Sequence, residues 1–338
     1  MSATSWDKLA DVYQNEGIVL VLGAGISRTC GFPSWEELIE RLALHCHGEI
    51  GIDQVYRMLA HDYSLPTIAG LIASSYTRQH GEALFVEQLR DALYEGLPVR
   101  FYRQELTPER QADFVDYIQQ INATLRTIAA LCAVPEPDGS FEMNPRIHAA
   151  ATFNLDALLH NYVRARYGRR LLRIIDRASA NNLPGNINLY HVHGYLRFDT
   201  SAGKSEMESV DDILLTEQQY FDFFNRPTSI FSYTALYLMR EYANVFVGLS
   251  MQDNNLRRLL HYSKVERAQG LIREGRSTLI DTETQRHFAV MLREDPVFDG
   301  LIEDSLEPLG VNVLWIDAFS EIPQRFAEVY GPDWAQVF

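Results

Sequence analysis

The chain has 338 residues, and its formal net charge of -15 gives an isoelectric point near 5.1. Such an acidic chain repels a phosphate backbone, so direct nucleic-acid binding is disfavoured, and the arginine-rich run 164–173 is interpreted as a solvated helix end. Apolar residues make up 46% of the chain, which is enough for one large domain or for a domain with a sizeable insertion.

Cysteine usage argues against a zinc or disulfide scaffold. Cys30, Cys46 and Cys132 are widely spaced and form no C-x-x-C pair, which predicts no bound metal and fits a reducing cytoplasm. The first residues show no basic region followed by an apolar core, so no signal peptide is expected. No apolar run approaches the length of a membrane span.

A short leading helix is predicted over 4–15, and a glycine loop follows the first predicted strand. The apolar run 17–22 predicts a strand buried on both faces, and it ends in Gly23-Ala24-Gly25. Ser34 and Glu37 form a capping-box pattern that starts a helix, which is predicted to run to about residue 47. A strand, a glycine loop and a helix in this order direct free backbone N–H groups at a phosphate.

A second interpretation of this stretch is an ordinary tight turn between a strand and a helix. The complete G-x-G-x-x-G fingerprint is missing, because Arg28 stands where its third glycine is expected. The stretch therefore favours a nucleotide-binding loop, but not that of an ordinary dehydrogenase.

A long helical stretch interrupts the α/β pattern. Apolar residues recur at helical spacing from about 52 to 132, and Thr107-Pro108 predicts the start of a helix that continues to Cys132. A loop at 135–139 closes the stretch. We therefore predict a helical insertion over 52–140, within a Rossmann-like domain formed by 1–51 and 141–338.

The α/β pattern then returns. Further strands are predicted at 147–152, 171–175, 187–192, 244–250, 287–292 and 311–316. Helices are predicted between and after these strands, including ones at 216–220, 228–242 and 254–272. Alternating strands and helices predict an α/β fold, a Rossmann-like parallel sheet with helices on both faces. Ligands bind such sheets beyond the carboxyl ends of the strands.

Four predicted strand ends carry small or polar residues, and these ends are expected to share one edge of the sheet. They are Gly23-Ala24-Gly25, Asn154 with Asp156, His193-Gly194, and Gly248 with Ser250. A larger set of motifs, in this order along the chain, resembles the sirtuin superfamily over most of 17–260. The motifs are Gly23-Ala24-Gly25-Ile26-Ser27, Gly31-Phe32-Pro33, Thr152-Phe153-Asn154-Leu155-Asp156, His193-Gly194 and Gly248-Leu249-Ser250.

The departures from that pattern are informative. Sirtuin deacylases carry four zinc-binding cysteines, which this chain lacks, and they usually continue with Asp-Phe-Arg where Pro33 is followed here by 34–36. The chain is more similar to sirtuin-like NADase domains of bacterial anti-phage defence, which often contain a sequence like 248–253. This resemblance implies that NAD⁺ is hydrolysed to nicotinamide and ADP-ribose, on infection and usually within an oligomer.

The resemblance also implies roles for individual residues. Cleavage of the nicotinamide–ribose bond passes through an oxocarbenium-like transition state, and the cationic leaving group needs no general acid. Asn154 is expected to hold a water or a ribose hydroxyl, His193 to accept a proton, and Asp156 to orient the amide or the nicotinamide end. The pyrophosphate would bind at Gly23, Ala24, Gly25 and Ser27, assisted by Ser250. Pro33, Gly248 and Asp253 complete the expected NAD⁺-binding set.

Structural interpretations of the same residues stay open. Asn154 suits a helix cap, Asp156 a first-turn acid and His193 a strand-end histidine. Ser250 and Asp253 suit the start of the next helix. His191 and the cluster from Tyr220 to Phe224 are interpreted as structural. Trp35 either covers the nicotinamide pocket or belongs to the core, and the core is favoured.

Two other functions remain open beside the NADase. The missing cysteines disfavour a deacylase, and the presence of both Asn154 and His193 favours catalysis over a non-catalytic NAD or ADP-ribose binding module. By the same analogy we expect a homo-oligomer or a partner, such as a ring ATPase or an Argonaute-like defence protein, contacting 52–140 and the C-terminal helices. The residues do not distinguish hydrolysis from cyclisation of NAD⁺.

Overall fold

A seven-stranded parallel sheet forms the centre of the computed structural model, which describes residues 4–102, 107–176, 185–197, 213–225 and 230–338. Its strands lie in the order β5-β6-β4-β1-β7-β8-β9. They are β1 Ile18–Leu22, β4 Ile147–Thr152, β5 Leu172–Ile175, β6 Ile187–His191, β7 Ala243–Val247, β8 His287–Leu292 and β9 Val311–Ile316. The predicted Rossmann-like α/β fold is confirmed.

Helices cover both faces of the sheet. Those before β4 are α1 Ser5–Asn15, α2 Trp35–Ala60, α3 Leu65–His80, α4 Glu82–Tyr94, α5 Pro108–Ile121 and α6 Ala123–Leu131. Those after it are α7 Leu158–Tyr167, α8 Glu217–Asn225, α9 Ile230–Glu241, α10 Asn254–Arg273, α11 Ile280–Thr284, α12 Pro296–Leu306, α13 Ile322–Tyr330 and α14 Trp334–Val337. The predicted start of α9 at Thr228 lies outside the described residues.

Alternation along the central strand separates the core into two layers. Ile18, Leu20 and Leu22 pack with the helices before β4 and with α7 and α13, whereas Val19 and Val21 pack with α9, α10 and the end of α12. Every residue of β1 is buried. This two-sided burial explains why the strand is apolar without interruption.

The topology fixes where a ligand can bind. From β1 the chain continues to β4 on one side of the sheet and later returns to β7 on the other side of β1. The loops after β4 and β7 therefore diverge from the carboxyl end of β1, which leaves a crevice there. The loops that follow β1, β4, β6 and β7 border this edge.

One predicted helix was wrong. The segment expected to be continuous from Thr107 to Cys132 is broken at Asn122, whose φ of -128° and ψ of 83° are not helical. Asn122 Oδ1 accepts a hydrogen bond from Leu125 N at 2.8 Å and so caps α6, while its Nδ2 donates to Ile26 O at 2.9 Å. A contact with the distant loop after β1 therefore breaks the helix.

The predicted end of the helix that begins at Trp35 coincides with a kink. Gly48 has a non-helical φ of 67° and ψ of -158°, so a first helix ends near His47, as predicted, and a second one continues α2 to Ala60. The loop predicted at 135–139 connects a short hairpin, whose strands are β2 Ala133–Pro135 and β3 Phe141–Met143. The division into a Rossmann-like domain and a 52–140 insertion stays a prediction, although buried residues of α2 to α6 share one core with the sheet.

Three further findings concern the cysteines, metal binding and membrane spans. All three cysteines are free thiols, and Cys30 and Cys132 are buried. Within the described ranges, no group of three or more His, Cys, Asp and Glu side chains is placed to hold a metal ion. None of the helices in the described part of the chain combines the length and the apolar character needed to cross a bilayer.

His287 links two strands of the sheet in its neutral form. It is 3% exposed, and its Nδ1 accepts a hydrogen bond from Asn244 N at 3.2 Å. Burial, with smaller effects from Arg286 and Arg267, lowers the pKa of His287 from its ordinary 6.5 to about 3. Between these two pH values the unfolded chain binds a proton that the folded chain does not, so stability falls as the pH falls.

We expect the His287→Gln variant to lose less stability than the parent when the pH is lowered from 7 to 5. A histidine that stays neutral in the folded state costs about 1.4 kcal/mol per pH unit below 6.5, so the two pH profiles should diverge by about 2 kcal/mol. Urea unfolding of both proteins at both pH values measures this difference. Parallel profiles would show that His287 is not held neutral.

Candidate functional site

A cavity of about 730 Å³ lies at the crevice beyond the carboxyl end of β1. This volume is within the range of small-molecule sites, which is roughly 300–1,000 Å³. The structure brings all of the predicted site residues to the lining of this one cavity, namely Gly23, Ala24, Gly25, Ser27, Pro33, Asn154, Asp156, His193, Gly248, Ser250 and Asp253. Their individual roles in binding and catalysis stay predictions.

Glycines let the loops after β1 and β7 touch through their backbones. Gly25 N donates to Gly248 O at 2.9 Å, and Gly23 N donates to Val247 O at 3.0 Å. A Cβ on Gly25 would lie 2.6 Å from Gly248 Cα, and one on Gly23 would lie 2.5 Å from Gly248 O. Gly248 also has a φ of +72°, a left-handed conformation that favours glycine. The three glycines are therefore needed for loop packing, whatever ligand the loops bind.

A buried chain of hydrogen bonds joins the loops after β1 and β4. Asn154 Nδ2 donates to Ser27 Oγ at 3.4 Å, and Ser27 Oγ donates to Asp156 Oδ2 at 2.9 Å. Ser27 is 1% exposed, and Asn154 and Asp156, in the loop after β4, are each 7% exposed. The Ser27 hydroxyl thus bonds to Asp156 within the protein, and it also orients the Asn154 carboxamide.

Asp156 serves two elements at once. Its second oxygen, Oδ1, accepts from Leu158 N at 2.9 Å, at the first turn of α7. Burial raises the pKa of this carboxyl, and the hydrogen bonds from Leu158, Ser27 and Asn154 oppose that rise. Asp156 is therefore not a first-turn residue of α7, which begins at Leu158, but its carboxylate bonds both to the first N–H of that helix and to Ser27.

Asn154 has an unused polar atom. The side chain does not cap α7, since Asp156 provides that contact, and its backbone N donates to Thr152 Oγ1 at 3.1 Å. Its Oδ1 is buried and has no hydrogen-bond partner among the described residues. A buried acceptor without a donor is costly, so this unpaired oxygen, on a residue that lines the cavity, is a reason to expect a functional role for Asn154.

His193 is half-buried between aromatic rings. Its ring meets Phe153 edge-on, with centroids 5.0 Å apart, and Tyr220 with centroids 5.9 Å apart. Burial lowers the pKa of His193 to about 4, although the Asp253 carboxylate and a hydrogen bond to the Phe153 backbone act in the opposite direction. The imidazole is therefore neutral at pH 7 and able to accept a proton.

Residues in the loop after β7 line the cavity, and one of them also caps a helix. Asp253 Oδ1 accepts from Asn255 N at 2.9 Å and from Leu256 N at 2.8 Å, so Asp253 caps α10 as its alternative interpretation predicted. Ser250 is exposed on the cavity wall. Met251 has a φ of 58°, a left-handed conformation that is uncommon outside glycine and that concentrates at ligand-binding loops.

Several lining residues were not identified from the sequence. Tyr220 was interpreted as packing, and the core was favoured over the nicotinamide pocket for Trp35, yet both line the cavity. Arg28, which forms a salt bridge with Glu37, lines it as well. Of the cluster from Tyr220 to Phe224, the side chains of residues 222–224 lie outside the described part. The position of Trp35 directly after the capping residue of α2 was the available signal.

His191 has a structural environment. It is 1% exposed, lies with Nε2 3.3 Å from His160 Nδ1, and its ring packs on Tyr195 with centroids 4.5 Å apart. This buried histidine pair lies behind the strand end rather than on the cavity lining. The structural interpretation of His191 is confirmed.

The fold is Rossmann-like, and the cavity lies at the switch point of its sheet. A family model described as a SIR2-like domain matches residues 148–313, which include Asn154, His193 and Gly248. No curated protein matches the chain. Residues 148–313 are thus similar to a SIR2-like domain, and an NAD-related function goes with domains of this kind. The Gly23–Ser27 loop precedes the matched residues.

We expect Gly25→Ala to destabilise the protein by about 1–3 kcal/mol, because the added methyl overlaps the backbone of Gly248. Gly270→Ala is the matched control, since Gly270 lies in α10 and has open space around its Cβ position. That control should be neutral or slightly stabilising. Thermal and urea unfolding compare the two variants with the parent. Equal stability of the two variants would contradict the loop contact.

Proposed function

We propose that this protein is an NAD⁺ glycohydrolase that cleaves NAD⁺ to nicotinamide and ADP-ribose. One observation carries the proposal. Asn154, whose buried Oδ1 has no partner among the described residues, lines the same cavity as a neutral His193. A hydrogen-bond acceptor for a ribose hydroxyl or a water, next to a proton acceptor, suits glycosidic cleavage.

The residues on the cavity wall fit the proposed substrate. Ala24 is exposed in the turn between the two glycine contacts, and Ser250 is exposed on the loop after β7, so both are placed to contact a pyrophosphate. Trp35 and Phe153 supply apolar surface for the nicotinamide or the ribose. Ser27 and Asp156 act through Asn154, since their polar atoms bond to each other and to its amide.

The reaction needs orientation and charge stabilisation more than acid catalysis. The bond from the anomeric carbon to the pyridine nitrogen breaks, and its electron pair stays on the nitrogen, so nicotinamide leaves as a neutral molecule. Asn154 holds the ribose or the attacking water through its carboxamide. His193 accepts the proton that the water loses when its oxygen bonds to the anomeric carbon, and later releases it to solvent.

We expect Asn154→Asp and His193→Ala each to lower kcat for nicotinamide release by about 100-fold or more, the range for loss of a positioned proton acceptor or charge-stabilising group. Asn154→Asp is nearly isosteric but replaces the amide that donates to Ser27. Chromatographic measurement of nicotinamide released from NAD⁺ gives the rates.

His61→Ala is the matched histidine control, because His61 is exposed after the end of α2 and does not line the cavity. It should retain the parent rate. Turnover that persists in both site variants would remove Asn154 and His193 from the catalytic site. NAD⁺ binding by the parent without release would favour the non-catalytic binding module.

We further propose that the enzyme acts in anti-phage defence within a homo-oligomer or with a partner ATPase or Argonaute-like protein. The helices before β4 expose apolar side chains, which supports a contact surface there. Examples on α2 are Leu44, Ile50 and Tyr56, of which Ile50 is 72% exposed. Light scattering of the parent and of Ile50→Glu tests self-association, and an unchanged assembly would exclude this part of α2 from the contact.

A further inference from the structure

Tyr94 joins two loops that carry site residues. It is the last residue of α4 and is fully buried, and its hydroxyl donates to Leu196 O at 2.5 Å. The same hydroxyl oxygen accepts from Ala157 N at 2.8 Å. Ala157 directly follows Asp156 in the loop after β4, and Leu196 lies three residues after His193 in the loop after β6.

The end of α4 also contacts the loop after β1. The Tyr94 ring meets Phe32 edge-on, with centroids 5.4 Å apart, and Phe32 lines the cavity. Two residues further on, Gly96 lies against Gly31 so closely that a Cβ on Gly96 would be 2.2 Å from Gly31 O. A single helix end, outside the strands and their loops, thus touches three of the four loops around the cavity.

We propose that Tyr94 is a positioning residue, whose hydroxyl sets the distance between the Asn154 loop and the His193 loop. The expected kinetic consequence rests on the proposed function, but the structural role does not. Tyr94 does not line the cavity itself, so it acts through the backbone of Ala157 and Leu196 rather than on a ligand.

Removal of the hydroxyl has a defined physical effect. In Tyr94→Phe the ring keeps its contacts with Phe32 and Tyr102, but Ala157 N and Leu196 O lose their shared partner in a buried place. The bond from Leu196 N to Leu155 O, 2.8 Å, still joins the loops, so they shift rather than separate. A displacement of about 1 Å between reacting groups can cost 100-fold in rate.

Tyr167→Phe is a matched control. Tyr167 is buried at the far end of α7, and its hydroxyl donates to Val337 O at 2.5 Å, the same kind of bond to a backbone carbonyl. Both variants therefore remove one buried tyrosine hydroxyl, but only Tyr94 bonds to the loops of the site. A similar loss of overall stability is expected in both.

The test combines hydrogen exchange with kinetics on the parent and the two variants. We expect Tyr94→Phe to speed amide exchange in residues 153–158 and 193–197 together, whereas Tyr167→Phe leaves both segments unchanged. For NAD⁺, we expect Tyr94→Phe to lower kcat by about ten-fold or more while KM changes by less than about three-fold.

Unchanged exchange in both segments, or loss of kcat to the same degree in the Tyr167→Phe control, would overturn the inference. A normal kcat in Tyr94→Phe would do so as well. If the parent does not cleave NAD⁺, the proposed function fails, and the exchange comparison still decides the role of Tyr94.

Discussion

The close backbone contact between the loops after β1 and β7 determines the geometry of this site. Gly25 and Gly248 approach so closely that neither has room for a side chain, and a hydrogen bond between them fixes the first loop in a tight turn. That turn places Ser27 against the loop after β4. There the Ser27 hydroxyl donates a hydrogen bond to Asp156 Oδ2 and accepts one from Asn154 Nδ2. The orientation of Asn154 therefore depends on glycines that follow neighbouring strands of the sheet but are distant in sequence.

Three features around the cavity each lower the stability of the folded state. Asp156 is a buried carboxyl with a raised pKa, Asn154 leaves its carbonyl oxygen unpaired among the described residues, and Met251 has a positive φ. Such groups destabilise a fold unless they are used, and they concentrate at functional sites. Their common position around one cavity is a physical reason, independent of the family match, to place function there.

The sequence predicted the strands and the cavity because both depend on local patterns. A strand buried on both faces reads as an unbroken apolar run, and small or polar residues at successive strand ends must meet at one edge of a parallel sheet. The ordered motifs around Gly23, Asn154, His193 and Gly248 then indicated the superfamily, and the match to a SIR2-like domain confirms it.

The rest of the structure depends on contacts between distant residues, which no local pattern shows. Asn122 breaks a helix because its amide bonds to Ile26, and Tyr94 connects loops about 60 and 100 positions further along the chain. The hairpin formed by β2 and β3 is too short to give an alternating pattern, with three residues in each strand. Trp35 and Tyr220 look like core aromatics until the cavity beside them is seen.

The proposed activity is cleavage of the bond between nicotinamide and ribose in this cavity. Its most direct test is to incubate the purified parent chain with NAD⁺ and to identify all products by chromatography and mass spectrometry. We expect nicotinamide and ADP-ribose in equal amounts. Cyclic ADP-ribose as the main product would contradict hydrolysis while keeping the bond cleavage, and NAD⁺ that binds but stays intact, with the proposed partner present, would contradict the claim itself.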